Sequence, residues 1–235
     1  MNYGKVAFCC ASYALVTTVL LLSSGCSGDA DPTETTTKPP AVDPIKHYAA
    51  ADLPELNNYM LPLDEDRLRV APVNGWNPTS RSKDHIVQFV KGRASLPRMT
   101  ITAEDVEWGD AWQQITEDQL AEMVSKLKPD LNKETLLEGI KPLILGEHPC
   151  VRYVQSIRFT SSDGRSLRAE RQTVKTIANG RLYTITLDVA PNKILNDRDA
   201  AYAVVAGLQF LDPPQEGEEE KQEAKEEEGE GNGGL

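Results

Sequence analysis

The residues best suited to chemistry are few and scattered. His148-Pro149-Cys150 sets an imidazole and a thiol two positions apart. On a strand that spacing puts both side chains on one face. A thiol beside a base would begin a nucleophilic site, and the same pair would supply two ligands of a metal. Neither constellation is completed, because His47 and His85 lie far away in sequence and no G-x-S-x-G pattern exists. The simplest expectation for Cys150 is a small buried residue. Glu104, Asp105 and Glu107 are crowded, yet crowding does not establish the opposed carboxylates that acid–base chemistry requires. Glycine patterns that cradle phosphates are absent. The sequence therefore predicts no enzyme, no cofactor and no metal.

Residues suited to binding are more numerous. Between Lys141 and Arg181 stand eight basic residues (Lys141, Arg152, Arg158, Arg165, Arg168, Arg171, Lys175, Arg181) against Glu147, Asp163 and Glu170. In a chain of net charge −11 this block is locally positive. Arg152 and Arg158 share strand parity and hence one face. The block could receive an acidic tail, an anionic headgroup or an acidic partner, or be an ordinary solvated sheet face. Trp108 and Trp112, flanking Gly109 in a loop, would mark a recognition surface if exposed; packing into the core is the alternative. Arg152, Arg158, Arg168, Trp108 and Trp112 are thus the candidate partner surface, and Trp76 is expected in the core.

Around these residues the chain divides into four parts. Residues 1–25 read as a signal peptide: Lys5 gives a positive start, and an apolar run reaches Leu22 before Ser23-Ser24-Gly25-Cys26. Cys26 is the expected lipidation site of a bacterial lipoprotein, held by acyl chains worth about 0.8 kcal/mol per buried CH₂. Ser23 stands where such sites usually carry Leu, so ordinary cleavage and secretion is a second reading. An uncleaved anchor is a third, though the run is short of the about 20 residues that span a bilayer. Cys9 and Cys10 would leave with the signal, so the mature chain would keep Cys26 and Cys150 and form no internal disulfide. Ser27 after the cysteine favours the outer membrane, facing the periplasm.

Residues 26–44, rich in Thr, Pro and acid, read as a disordered stalk. Residues 215–235 hold nine Glu and two Lys, so a disordered acidic tail carries −7 of the chain's −11. It is a solubilising extension or an interaction tail. The net negative charge argues against nucleic acid. Residues 45–214 are left for one domain, large enough to bury about 70% of its unfolded surface.

Within that domain the patterning predicts a turn of helix at 53–61 and strands at 67–73, 85–91 and 99–104. A helix follows, with Thr116 and Gln119 spaced for a capping box. Leu120, Met123, Val124 and Leu127 form its apolar stripe, and Pro129 ends it. A short helical piece is expected at 132–139, with Leu136 and Leu137 inward. Strands at 142–145, 150–160, 167–177 and 181–189 complete a β block, turned by Ser162-Asp163-Gly164 and by Asn179-Gly180. The latter is the strongest hairpin signal in the chain, because a type I′ turn needs positive φ at both central residues. Asp197 is expected to cap a final helix, 198–208. The order βββ–α–ββββ–α predicts an α+β fold, an antiparallel sheet covered by helices.

Four segments resemble the PsbP/Mog1-like family: Val70-Ala71-Pro72-Val73-Asn74-Gly75-Trp76, Leu145-Gly146-Glu147-His148-Pro149-Cys150-Val151-Arg152, Gly180-Arg181-Leu182-Tyr183-Thr184-Ile185-Thr186-Leu187, and Ala200 to Val205 running into Leu208-Gln209-Phe210. The resemblance spans residues 67–211. It implies an α/β/α sandwich used as a binding or assembly module, in a family that attaches to photosystems, binds small GTPases or occurs as bacterial lipoproteins. It brings no shared catalytic residues. The sequence thus leads to a membrane-anchored, non-enzymatic lipoprotein that binds a protein partner. The alternative is a lipoprotein binding a small molecule or lipid in a pocket between sheet and helix, and a Cys150-dependent hydrolase is a third reading.

Overall fold

Two-faced strands and a final helix that is apolar from Ala200 onward organise the domain. A computed structural model describes residues 44–79, 82–160 and 164–212. Cys26, the signal, the stalk up to residue 43, the Ser162-Asp163 turn and the acidic tail lie outside the described residues.

The strands are β1 (Lys46–Tyr48), β2 (Leu68–Arg69), β3 (Trp76–Pro78), β4 (Val87–Lys91) and β5 (Arg98–Asp105). After α1 (Leu120–Leu127) come β6 (Leu136–Leu145), β7 (His148–Thr160), β8 (Ser166–Ala178) and β9 (Arg181–Val189), then α2 (Ile194–Ala206) and β10 (Gln209–Phe210). Eight strands form one sheet in the order β1-β6-β7-β8-β9-β5-β4-β3, and β10 pairs with β2 separately. Two meanders, β3-β4-β5 and β6 to β9, meet where β9 returns antiparallel to β5 over Arg98–Asp105. The sheet is mixed rather than wholly antiparallel, because β1 runs parallel to β6. The fold is α+β, as the patterning led one to expect.

The helices take opposite faces. The α2 residues Ala201, Tyr202, Val204 and Val205 share one core with Phe89, Met99, Ile101, Ile185 and Leu187 of the sheet. On the other face Leu120, Met123 and Leu127 of α1, with Trp112 and Ile115, pack on Val151, Ile177 and Leu182. The α1 start is as read: the Thr116–Gln119 capping box forms, heading a 3₁₀ turn that runs into the helix. Asn179 and Gly180 have φ of 51° and 70°, as the hairpin requires. Gly146 (φ 60°) turns β6 into β7, where an added Cβ would lie 3.0 Å from the Ala206 carbonyl oxygen.

Four local expectations are corrected. Residues 53–61 are not helical; the helical turn falls earlier, at Ala50–Asp52. The following backbone is spent on neighbours instead, with Asn57 N–H donating to Pro72 O and Met60 N–H to Val70 O. For the same reason the stretch 67–73 contributes only β2 and stays out of the main sheet. Residues 132–139 hold a turn and the start of β6, because the thirteen-residue β7 needs a partner along its outer edge; Leu137 is consequently 52% exposed. Finally, α2 starts at Ile194, ahead of Asp197. The Glu170 carboxylate of β8 accepts the Asn192 and Ile194 N–H groups, so the cap comes from a strand. Asp197 is instead buried and paired with Lys91 at 2.7 Å.

Candidate functional site

Three members of the basic block, Arg152, Arg171 and Arg181, turn out to be internal wiring. Arg152, its side chain 12% exposed, binds Glu138 Oε2 at 2.5 Å, and Arg198 of α2 grips the same carboxylate from the other side. Burial pushes the Glu138 carboxyl up, but hydrogen bonds and charge from Arg152 and Arg198 outweigh it and hold it below the ordinary range. Irregular register on either side of Glu138 in β6 accompanies this arrangement. Arg171 binds Asp188 through two nitrogens at 2.6 and 2.9 Å, and Arg98 adds a third contact at 2.7 Å. These three stand in register across β5, β9 and β8. Arg181 reaches back to Asp64 at 2.8 Å, where the Tyr183 hydroxyl also donates. Asp64, Glu65 and Asp66 all have positive φ, between 55° and 62°, a left-handed run that L-residues adopt at a cost. The Arg181 and Tyr183 contacts pin its first residue.

Two of the candidate arginines remain outward. Arg158 and Arg168 are both exposed and stand directly opposite one another on β7 and β8. The structure therefore does not bring Arg152, Arg158 and Arg168 together as one surface: Arg152 faces Glu138 under α2, and the other two sit at the far end of the hairpin.

The tryptophans also part company. Trp112 is 4% exposed in the α1 core. Trp108 is half-buried and meets it edge-on, with ring centroids 5.1 Å apart. The Lys126 ammonium lies over both rings at 5.7 and 5.5 Å, distances at which a ring face attracts a cation.

Trp108 borders the groove with the greatest chemical interest. Its volume is about 540 Å³, and its walls come from the end of β5 (Glu104, Asp105), the loop Val106 to Trp108, α1 and its following turn (Leu127, Asp130), Lys175 of β8 and Leu182 of β9. The N–H of Val106 donates to Gly180 O at 2.9 Å, fastening the loop to the β8–β9 turn. Leu127, Leu182, Val106 and Trp108 give apolar walls, while four carboxylates face one lysine. Asp105 is loosely paired with Arg181 at 3.6 Å and its side chain is 88% exposed. Such a lining suits a cationic group carried on an apolar stem. The sequence showed the crowding of Glu104, Asp105 and Glu107; it gave no signal that Asp130 and Lys175 would join them across the α1 connection.

His148 and Cys150 do share a face, but not a site. The Cys150 thiol donates to the His148 backbone carbonyl at 3.1 Å, and burial pushes its pKa up to about 12. The His148 ring is spent on the Leu208 carbonyl at 3.0 Å and on the Phe210 edge. A fully buried thiol that burial keeps protonated, beside a ring committed to Leu208, lacks the thiolate character a nucleophile needs. Among the described residues no three acidic, His or Cys side chains come together to hold a metal.

No family model matches the sequence, and no curated protein does. Among solved structures the chain is similar to a protein of Bacteroides thetaiotaomicron, at TM-score 0.46 and 11% identity over 67% of this chain. The match takes in half of that longer chain. It is similar to cyanobacterial PsbP of Synechocystis, at TM-score 0.35 and 12% identity, covering 65% of this chain and 94% of the other. It is also similar to LpqN of Mycobacterium tuberculosis, described as involved in cell envelope biogenesis, at TM-score 0.39 and 16% identity, covering 71% and 99%. A PsbP protein is among the structures this chain is similar to. The α+β assignment itself rests on the strand order and register.

Proposed function

We propose that this chain is a membrane-anchored envelope lipoprotein whose domain is a non-enzymatic protein-binding module, receiving a basic segment of its partner in the groove beside α1. The groove carries this reading. It is open, it lies between rigid strands and a capped helix, and its four carboxylates exceed its single lysine. Trp108 at its rim offers a ring to a lysine or arginine, a contact of the kind Lys126 already makes with it. The anchor rests on Cys26 and the preceding apolar run, and no helix among the described residues is long and apolar enough to cross a membrane.

A small cationic ligand is the second reading, because the volume falls within the range of about 300–1,000 Å³ usual for ligand pockets. An acyl chain suits the groove poorly, since it would desolvate carboxylates without pairing them.

The test is photo-crosslinking in the native host, with benzoylphenylalanine at Glu107 and, as control, at the exposed Leu195 of α2. A discrete protein adduct is expected from Glu107 alone. It should be lost in the Asp105→Lys/Asp130→Lys double variant and weakened by Cys26→Ala. Equal adducts from both positions, or none from either, would end the protein-binding reading.

A further inference from the structure

Like charges placed directly opposite on neighbouring strands repel and destabilise the pair. Arg158 and Arg168 are such a pair, both exposed, and neither has a hydrogen-bond or ion-pair partner among the described residues. Their neighbours show how unusual this is. Arg152, Arg171 and Arg181 of the same block each grip a carboxylate at 2.5 to 2.8 Å. The two same-face register pairs that flank the outward pair, Ser156 with Glu170 and Thr160 with Ser166, bring no acid apart from Glu170. Glu170 is itself occupied with the backbone at the start of α2. Among the described residues, therefore, no anion is free to pair with this end of the β7–β8 hairpin.

The chain carries one. Residues 215–235 hold nine Glu against two Lys. They follow a point fixed in the fold, since Leu211 O accepts from Asn179 and Leu211 N–H donates to Arg67 O. That point is at the β8–β9 turn, and Arg168 lies ten residues back along β8. At about 3.3 Å per residue the gap is roughly 33 Å, which about ten residues of extended chain would cross. Glu223 and every glutamate after it are far enough along to arrive. The other large charged feature, the groove with its four carboxylates, repels the same segment.

We propose that the acidic segment 215–235 docks in cis on the Arg158/Arg168 pair. Because the segment is tethered, its effective concentration at the patch is in the millimolar range for a short flexible linker, so weak ion pairs suffice. Opposite charges on the two ends of the molecule are then used differently: the positive end is filled by the chain's own glutamates, and the negative groove is left open.

Arginine modification tests this on the full chain. Phenylglyoxal labelling rates at Arg158 and Arg168 would be read by mass spectrometry, with Arg93 in the β4–β5 turn as internal reference. At low salt both arginines should react several-fold more slowly in the full chain than in a chain ending at Pro214. The difference should vanish near 1 M salt, where the screening length falls to about 3 Å, and should not depend on protein concentration. Equal rates with and without the segment at low salt would overturn the proposal. Protection that rises with protein concentration would also overturn it, by assigning the segment to a second copy. Protection of both chains by phosphatidylglycerol vesicles, with no effect of the segment alone, would assign the patch to a membrane instead. None of these outcomes touches the groove, so the proposal fails or stands independently of the partner-binding reading.

Discussion

The two faces of the sheet are made by the same strands from opposite chemistry. Under α2 the alternating side chains are Phe89, Met99, Ile101, Ile185 and Leu187, all essentially inaccessible. On the other face the same strands carry Gln88, Arg98, Thr100, Thr186, Asp188, Arg171 and Thr173 in cross-strand rows. Gln88 donates to Thr100 at 3.1 Å, and Arg98, Asp188 and Arg171 form the charged row beside it. Only one end of that face is roofed by α1. A strand of period two can serve both purposes at once. The dry face supplies the stability, and this frees the second face to carry charge and an open groove.

The sharpest way to break this comparison is to truncate one residue on each face of adjoining strands. Phe89→Ala should cost about 3–5 kcal/mol, the range for deleting a buried aromatic. Thr100→Ala, one residue from the Met99 that pairs with Phe89, should cost within about 1 kcal/mol. Urea unfolding of the two variants checks the ratio. Comparable losses would mean that the polar face is as much a part of the core as the dry one.

Next in size is the charged row. The Asp188 side chain is 2% exposed, and Asp188→Asn would leave Arg171 and Arg98 facing each other without a counter-charge. A loss of about 3 kcal/mol is expected, as for breaking a buried ion pair. The pH dependence gives an independent check. Burial pushes the Asp188 carboxyl up, but hydrogen bonds and charge from Arg171 and Arg98 prevail and lower its pKa. The folded state thus binds this proton less readily than the unfolded chain, whose value is about 3.9. Its contribution is complete above that value and is lost as pH falls through the folded one. The stability gap between the native chain and Asp188→Asn should therefore close on acidification below about pH 4. A gap that stays constant to pH 2 would show that the row does not depend on the ionised carboxylate.

The same contrast explains what was legible in the sequence. Dry-face alternation in β9 (Tyr183, Ile185, Leu187, Val189), the Asn179-Gly180 turn and the Thr116–Gln119 cap are local signals, and each appears in place. What could not be read was set by partners distant in the chain. Glu170 caps α2 from 24 residues away, which displaces the helix start that Asp197 suggested. The need to pair β7 turns 136–139 into strand against a locally helical pattern. The arginine block was visible as charge, but the acids that neutralise it sit 14 to 117 positions off, at Glu138, Asp188 and Asp64. The groove was half visible, since Glu104, Asp105 and Glu107 are neighbours in sequence while Asp130 and Lys175 arrive only through packing.

The smallest expected effect on stability is at the groove rim, where the two tryptophans repeat the contrast in miniature. Trp112 belongs to the core under α1, whereas Trp108 meets Trp112 edge to face, takes Lys126 over its ring and also lines the groove. An aromatic pair of this kind is worth about 0.5–1.5 kcal/mol beyond area, so Trp108→Ala should lower stability by about 1 kcal/mol and leave the fold intact. Its effect on recognition should be larger, because it removes the ring against which a cationic side chain would lie. The Glu107 adduct should then be lost while the melting temperature moves by only a few degrees, as expected for a change of about 1 kcal/mol in a domain of this size. If the adduct survives in Trp108→Ala, the aromatic rim is packing alone, and recognition at the groove is left to its carboxylates.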